Sequence, residues 1–268
     1  MNAQLISFSK YSATGNDFII IDDRLLQFPI SNNQYIKKLC TRRSGIGADG
    51  LILLHKSDKS DFKMRYFNAD GIESEMCGNG SRSIVAFARE LGIIEKSTNF
   101  DSMLSCHEGK IVGSNISVKM NVPQNLLLNE PMILNLDFEV GGYVEIGVPH
   151  YILYSPEITS LDVQRLGEKI AHNDHFSKGT NVNFVQLKSN SEIDLRTYER
   201  GVEAETLACG TGATASVLIT AKIHHLKSPV KVNVLGGSLN INFDEGMTEF
   251  WLTGTVNEIY RGEIQLNP

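Results

Sequence analysis

Apolar residues along this chain fall into short runs, not one sustained period. The runs 18–22, 50–54, 62–67, 151–154, 182–187 and 193–198 are rich in Ile, Leu, Val, Phe and Tyr and bounded by Gly, Asn, Asp or Pro. That pattern predicts strands. Two other segments carry the helical spacing: Ile84, Val85, Phe87, Ala88 and Leu91 in one, Ala213, Val217, Leu218 and Ala221 in the other. Gly92 stops the first of these helices and Pro229 follows the second. Amphipathic segments over 32–41 and 161–172 predict two further helices.

The same signals occur twice. Gly15-Asn-Asp-Phe-Ile-Ile-Ile21 parallels Gly147-Val-Pro-His-Tyr-Ile-Leu153, a glycine turn feeding an apolar strand, at an offset of 147 − 15 = 132. Gly47 and Gly179 open a second matched pair of strands, and Cys77-Gly-Asn-Gly80 and Cys209-Gly-Thr-Gly212 precede the two helices, again at 132. Between them Gly71 and Gly201 differ by 130, so one loop carries a compensated length change. Matches in order at one offset near half the length indicate an internal duplication. The expected fold is α+β: two pseudo-symmetric halves, each a strongly curved, mostly antiparallel sheet around a central helix that begins at a Cys-Gly-x-Gly turn.

Composition narrows the function. The 268 residues are 41% hydrophobic, enough for a core without disulfides or structural metal. The net charge of −6 is scattered, and the densest basic stretch, 56–63, is broken by Asp58 and Asp61, which argues against a nucleic-acid partner. The absence of a signal-like start and of a long apolar run predicts a cytoplasmic protein with no membrane partner. Cys40, Cys77, Cys106 and Cys209 show no C-x-x-C spacing, and His172 with His175 lacks a third ligand, so no metal is expected. Cys40 and Cys106 read as packing residues.

Cys77 and Cys209 do not, because each opens a glycine turn. A helix N-terminus offers unpaired N–H groups and partial positive charge, which draw anions and lower a thiol pKa from about 8.5. Two such turns suit one reaction in particular. Inverting an amino-acid α-carbon needs a proton removed from one face and another delivered to the opposite face, work for a thiolate and a thiol. Converging N–H groups would stabilise the charge developing on the carboxylate, and no cofactor is required. A thiol hydrolase leaves the second cysteine unexplained. Nucleotide binding at Gly210-Thr-Gly-Ala-Thr-Ala215 lacks the buried strand and the later acidic residue that such a site needs.

At these residues the sequence resembles the diaminopimelate epimerase family. The resemblance runs through Gly15-Asn-Asp-Phe18, Arg43-Ser-Gly-Ile-Gly-Ala-Asp-Gly50, Phe67-Asn-Ala-Asp-Gly71, Met76-Cys-Gly-Asn-Gly80, Pro149-His150, Thr180-Asn-Val182, Tyr198-Glu-Arg-Gly201 and Ala208-Cys-Gly-Thr-Gly212. It implies cofactor-independent interconversion of LL- and meso-diaminopimelate, with Cys77 and Cys209 as the acid/base pair and His150 and Glu199 tuning them. Asn16, Asn68, Asn181 and Arg200 would bind the substrate, helped by the backbone at Gly78, Asn79, Gly210 and Thr211. It further implies domains at 1–120 plus 257–268 and at 121–256, a small-molecule amino-acid substrate, and room for a homodimer. A related two-cysteine racemase of proline-racemase type is the alternative. Three departures bear on recognition of the distal end of the substrate: Val148 where many members have Asn, Gly50 where some have Gln, and a loop between Gly201 and Cys209 one residue longer than usual.

Overall fold

The structure is a computed structural model that describes residues 4–75, 77–128, 130 and 138–266. In chain order the first elements are β1 (Gln4–Ala13), β2 (Asn16–Asp22), α1 (Asn33–Cys40), β3 (Gly50–His55), β4 (Phe62–Asn68) and β5 (Glu73–Ser74). They are followed by α2 (Gly78–Glu90), β6 (Ser97–Asp101), β7 (Cys106–Val112) and β8 (Asn115–Lys119). Next come β9 (Gln124–Leu128), β10 (Glu139–Ile146), β11 (Val148–Tyr154), α3 (Val163–Ala171), β12 (Asn181–Ser189), β13 (Glu192–Glu199) and β14 (Ala204–Thr206). The chain continues through α4 (Gly210–His224), β15 (Val230–Val234), β16 (Gly237–Phe243), β17 (Phe250–Gly254) and β18 (Asn257–Leu266). It divides into two compact units, Met1–Val118 with Gly254–Pro268, and Lys119–Thr253.

In the first unit β1 pairs antiparallel with both β2 and β18. The run of four isoleucine and phenylalanine residues in β2, Phe18 to Ile21, is fully buried because both faces of the sheet are covered. On one face Ile19, Ile21, Leu51 and Leu53 pack with Tyr35, Ile36 and Leu39 of α1. On the other lies α2, which touches β1, β2, β3, β4 and β7. Parallel strands need a long crossover. Here α1 crosses between the parallel pair β2 and β3, and α2 between β4 and β6. The pairs β3–β4, β4–β5, β6–β7 and β7–β8 are antiparallel.

The second unit repeats this plan. α3 crosses between parallel β11 and β12, α4 between parallel β13 and β15, and β10–β11, β12–β13, β13–β14 and β15–β16 are antiparallel. Val163, Leu166 and Ile170 of α3 pack on Tyr151, Leu153, Val182, Phe184 and Tyr198. α4 touches β10, β11, β12, β13 and β16. The duplication extends to single side chains. Arg65 grips Glu73 through Nε and Nη2 at 2.7 and 2.6 Å, and Arg196 grips Glu205 in the same two-pronged way at 2.6 and 2.7 Å.

The helices expected at 32–41 and 161–172 are α1 and α3, trimmed at each end by their caps. Asn32 Oδ1 accepts the Tyr35 N–H at 3.0 Å and Asp162 Oδ1 the Arg165 N–H at 3.1 Å. Gly92, past the end of α2, has φ +69°, the left-handed geometry that suits glycine. One reading needs correction: Cys106 is exposed, not a packing residue. β7 alternates, so the parity that buries His107 turns Cys106 outward.

Candidate active site

Each cysteine of interest is the residue before a helix, held in extended backbone so that its own carbonyl starts the helical hydrogen bonds. Cys77 has φ −121° and ψ 122°, and its carbonyl accepts the Ser81 N–H at 2.7 Å. Cys209 has φ −118° and ψ 111°, and its carbonyl accepts the Ala213 N–H at 2.9 Å. Glycines follow because the space is tight. A Cβ on Gly212 would lie 2.5 Å from Asn183 Oδ1 and 3.3 Å from Cys209 Sγ, and one on Gly80 3.2 Å from Ile52 Cδ1.

In the first unit the Cys77 thiol donates to Asn16 Oδ1 at 3.6 Å. The same oxygen accepts Asn79 Nδ2 at 3.2 Å, and Asn16 Nδ2 donates to Asp49 Oδ2 at 2.6 Å. Asn79 Oδ1 in turn accepts Arg82 Nη2 at 2.9 Å. The ends of this chain fix its direction, since a guanidinium only donates and a carboxylate only accepts. Both carboxamides are therefore oriented, with the Asn16 oxygen toward the thiol. Asn68, exposed at the end of β4 and opposite Gly50, is outside this network among the described residues.

In the second unit Cys209 is buried, and its sulfur accepts the Gly212 N–H at 3.4 Å and lies 3.4 Å from the Thr211 hydroxyl. His150, on β11, is fully buried. Asn183 Nδ2 meets His150 Nδ1 at 3.2 Å while Asn183 Oδ1 accepts the Thr197 hydroxyl at 3.1 Å. With the amide so oriented, Nδ1 is the acceptor and the ring proton sits on Nε2, which has no partner among the described residues. Burial pushes the His150 pKa down to about 3, so the ring is neutral at pH 7. Asn183 thus touches both His150 and the glycine turn of Cys209.

Asn181 Oδ1 accepts the Arg200 N–H at 2.9 Å, and the Arg200 guanidinium donates to the Lys178 carbonyl. Glu199 Oε1 accepts the Thr206 hydroxyl at 2.5 Å. His172 and His175 bind two different carboxylates, Glu203 at 2.6 Å and Glu130 at 3.1 Å. Among the described residues no group of three or more His, Cys, Asp or Glu is placed to hold a metal ion, and no helix is long and apolar enough to cross a membrane. Sequence reading gave no role to Asp49 or Arg82, and none to Asn183 as the partner of His150. The first lies in the Gly-Ala-Asp-Gly segment already singled out, but nothing in a lone polar residue on a strand or helix announces a partner across the sheet.

The family model described as diaminopimelate epimerase matches residues 8–111 and 142–258. The diaminopimelate epimerase of Aquifex aeolicus is 40% identical over 279 residues, covering 97% of this chain and 98% of the relative. That of Chlorobaculum tepidum is 41% identical over 268 residues, covering 95% and 100%. Among solved structures, a Bacillus anthracis phenazine biosynthesis protein of the PhzF family aligns over 98% of this chain and all of its own, with TM-score 0.77 at 16% identity, a likeness of fold. On these sequence matches, the chain belongs to the diaminopimelate epimerase family.

Proposed function

We propose that the chain interconverts LL- and meso-diaminopimelate by proton exchange at one α-carbon between Cys77 and Cys209, without a cofactor. The observation that carries this is the pair of cysteines, each capping a helix whose first turn begins Gly-x-Gly, in two units built on one plan. As a thiolate, one cysteine takes the α-proton: the C–H bond breaks, an S–H bond forms, and the electron pair spreads into the substrate carboxylate. First-turn N–H groups at Gly78, Asn79, Gly210 and Thr211 meet that charge. The other thiol then gives its proton to the opposite face, so the reverse direction exchanges the two roles.

In this reading His150, neutral and bonded to Asn183 beside Gly212, and Glu199 tune the protonation of the cysteines. Asn16, Asn68, Asn181 and Arg200 hold the amino and carboxylate groups of the substrate. The enzyme works in the cytoplasm on a free amino acid, with no nucleic acid or membrane involved, and the reading allows a homodimer. The test is NMR in deuterated water with LL-diaminopimelate. The expected result is deuterium at the α-carbon and formation of the meso isomer by the native chain, with Cys77→Ala and Cys209→Ala each folded and each losing nearly all turnover. Full turnover by either variant would exclude a two-base mechanism.

A further inference from the structure

Arg82, in the second turn of α2, is fully buried. Its Nη2 donates to Thr14 Oγ1 at 3.1 Å and to Asn79 Oδ1 at 2.9 Å, while Nε and Nη1 have no partner among the described residues. No described carboxylate pairs with it. A buried charge without a counter-charge is costly, and folds keep one where it has work to do.

The other charged groups on the elements around α2 are mostly engaged elsewhere. On β1 Lys10 is bound to Asp17 and Tyr11 to Glu90, and on β2 Asp17 is also bound to Arg42 and Asp22 to Arg24. On β3 and β4 His55 is bound to Asp23 and Arg65 to Glu73, and on β7 His107 is bound to Ser102. Lys63 on β4, Glu108 and Lys110 on β7, and Arg89 on α2 complete the set. Asp49 reaches the thiol side only through Asn16. Burial pushes the Arg82 pKa down to about 10, and the charge that opposes this is that of Cys77. Arg82 therefore remains a cation at neutral pH.

The second unit lacks the arrangement. At the offset of 132 Arg82 corresponds to Thr214, whose hydroxyl bonds the Gly210 carbonyl at 2.9 Å. Its anchor is missing too: the β1–β2 turn places Thr14 and Gly15 between the paired residues Ala13 and Asn16, whereas Gly147 alone separates the paired Ile146 and Val148. Anchor and cation occur together in one half only.

We propose that Arg82 is the fixed counter-charge of the Cys77 thiolate, a positioning residue linked to it through the hydrogen-bonded carboxamides of Asn79 and Asn16. This rests on the reading of Cys77 as an acid/base group. The Asn16 carbonyl favours the protonated thiol, but a thiol is a weak donor and 3.6 Å is long, whereas a full charge in buried surroundings acts strongly.

The experiment alkylates the intact protein with iodoacetamide across a pH series and follows the Cys77 and Cys209 peptides separately by mass spectrometry. In the native chain the Cys77 midpoint is expected below the ordinary thiol value of about 8.5. Arg82→Gln, which keeps an amide donor and removes the charge, should raise it by about a unit or more, a tenfold loss of thiolate at neutral pH, and leave the Cys209 midpoint in place. Arg82→Lys should restore the native value. A native midpoint at or above the ordinary value, or an unchanged midpoint in Arg82→Gln, overturns the proposal. Should labelling of buried Cys40 show that Arg82→Gln has unfolded, the native midpoint decides. Alkylation involves no substrate, so a failure of this inference, read in the Cys77 midpoint, is distinguished from a failure of the functional reading, read as absence of deuterium exchange in the native chain.

Discussion

His150 stands where the other half of the molecule has Phe18, a hydrophobic place given to an imidazole. Its folded pKa of about 3 lies below the unfolded value of about 6.5, so the unfolded chain takes up the proton first as pH falls. Its contribution is whole above pH 6.5 and declines toward pH 3, with a slope reaching about 1.4 kcal/mol per pH unit. Urea midpoints of the native chain should therefore drop more steeply over that window than those of His150→Phe, and parallel curves would refute the assignment. The ring was legible in the sequence because Pro149-His150 belongs to a matched motif. Asn183, which orients it, was not, since one asparagine in a strand pattern looks like any other polar position until the turn of Gly212 is seen against it.

Among elements, the two hairpins β4–β5 and β13–β14 share a clasp but not its surroundings. Arg196 also donates through Nη1 to the carbonyls of Ile158, Thr159 and Leu161 at 2.7, 3.1 and 2.9 Å, tying the approach to α3 to the sheet. Arg65 instead lies over the Phe67 ring, 5.5 Å from its centroid. Arg196→Met is expected to cost about 2–3 kcal/mol, for it strands Glu205 and three carbonyls, against about 1 kcal/mol for Arg65→Met. Chemical denaturation of both variants checks the order, and equal losses would show the extra carbonyl bonds to be idle. Six strands and all four helices could be read from periodicity, because strands buried on both faces are continuous apolar runs and the helices carry their caps in sequence. β1, β5 to β10 and β14 to β17 were not read as strands; in β1 polar and apolar residues mix and its partner lies far along the chain, and the return of the C-terminal segment to the first half was implied only by the family resemblance.

At the scale of the whole molecule the duplication was visible as one repeated offset, while the differences between the halves acquired meaning only from the structure. Position 148 is the counterpart of Asn16, and valine there has no group to fix a polar substrate end. An apolar lining discriminates by only about 1–3 kcal/mol per methylene-sized change. Glutamate should therefore be racemised slowly by the native chain, and Val148→Asn should raise the ratio of kcat/KM for diaminopimelate over glutamate roughly tenfold or more. An unchanged ratio places selectivity elsewhere. The pairing of β1 with β18, from Leu5 against Gln265 to Ser12 against Asn257, also sets a schedule for biosynthesis. The second unit, Lys119–Thr253, is a single continuous stretch and is synthesised in full before β18 is made. The half begun first is thus completed last, and until β18 is released the strand β1 carries one open edge, the kind of unpaired edge that invites association with other chains.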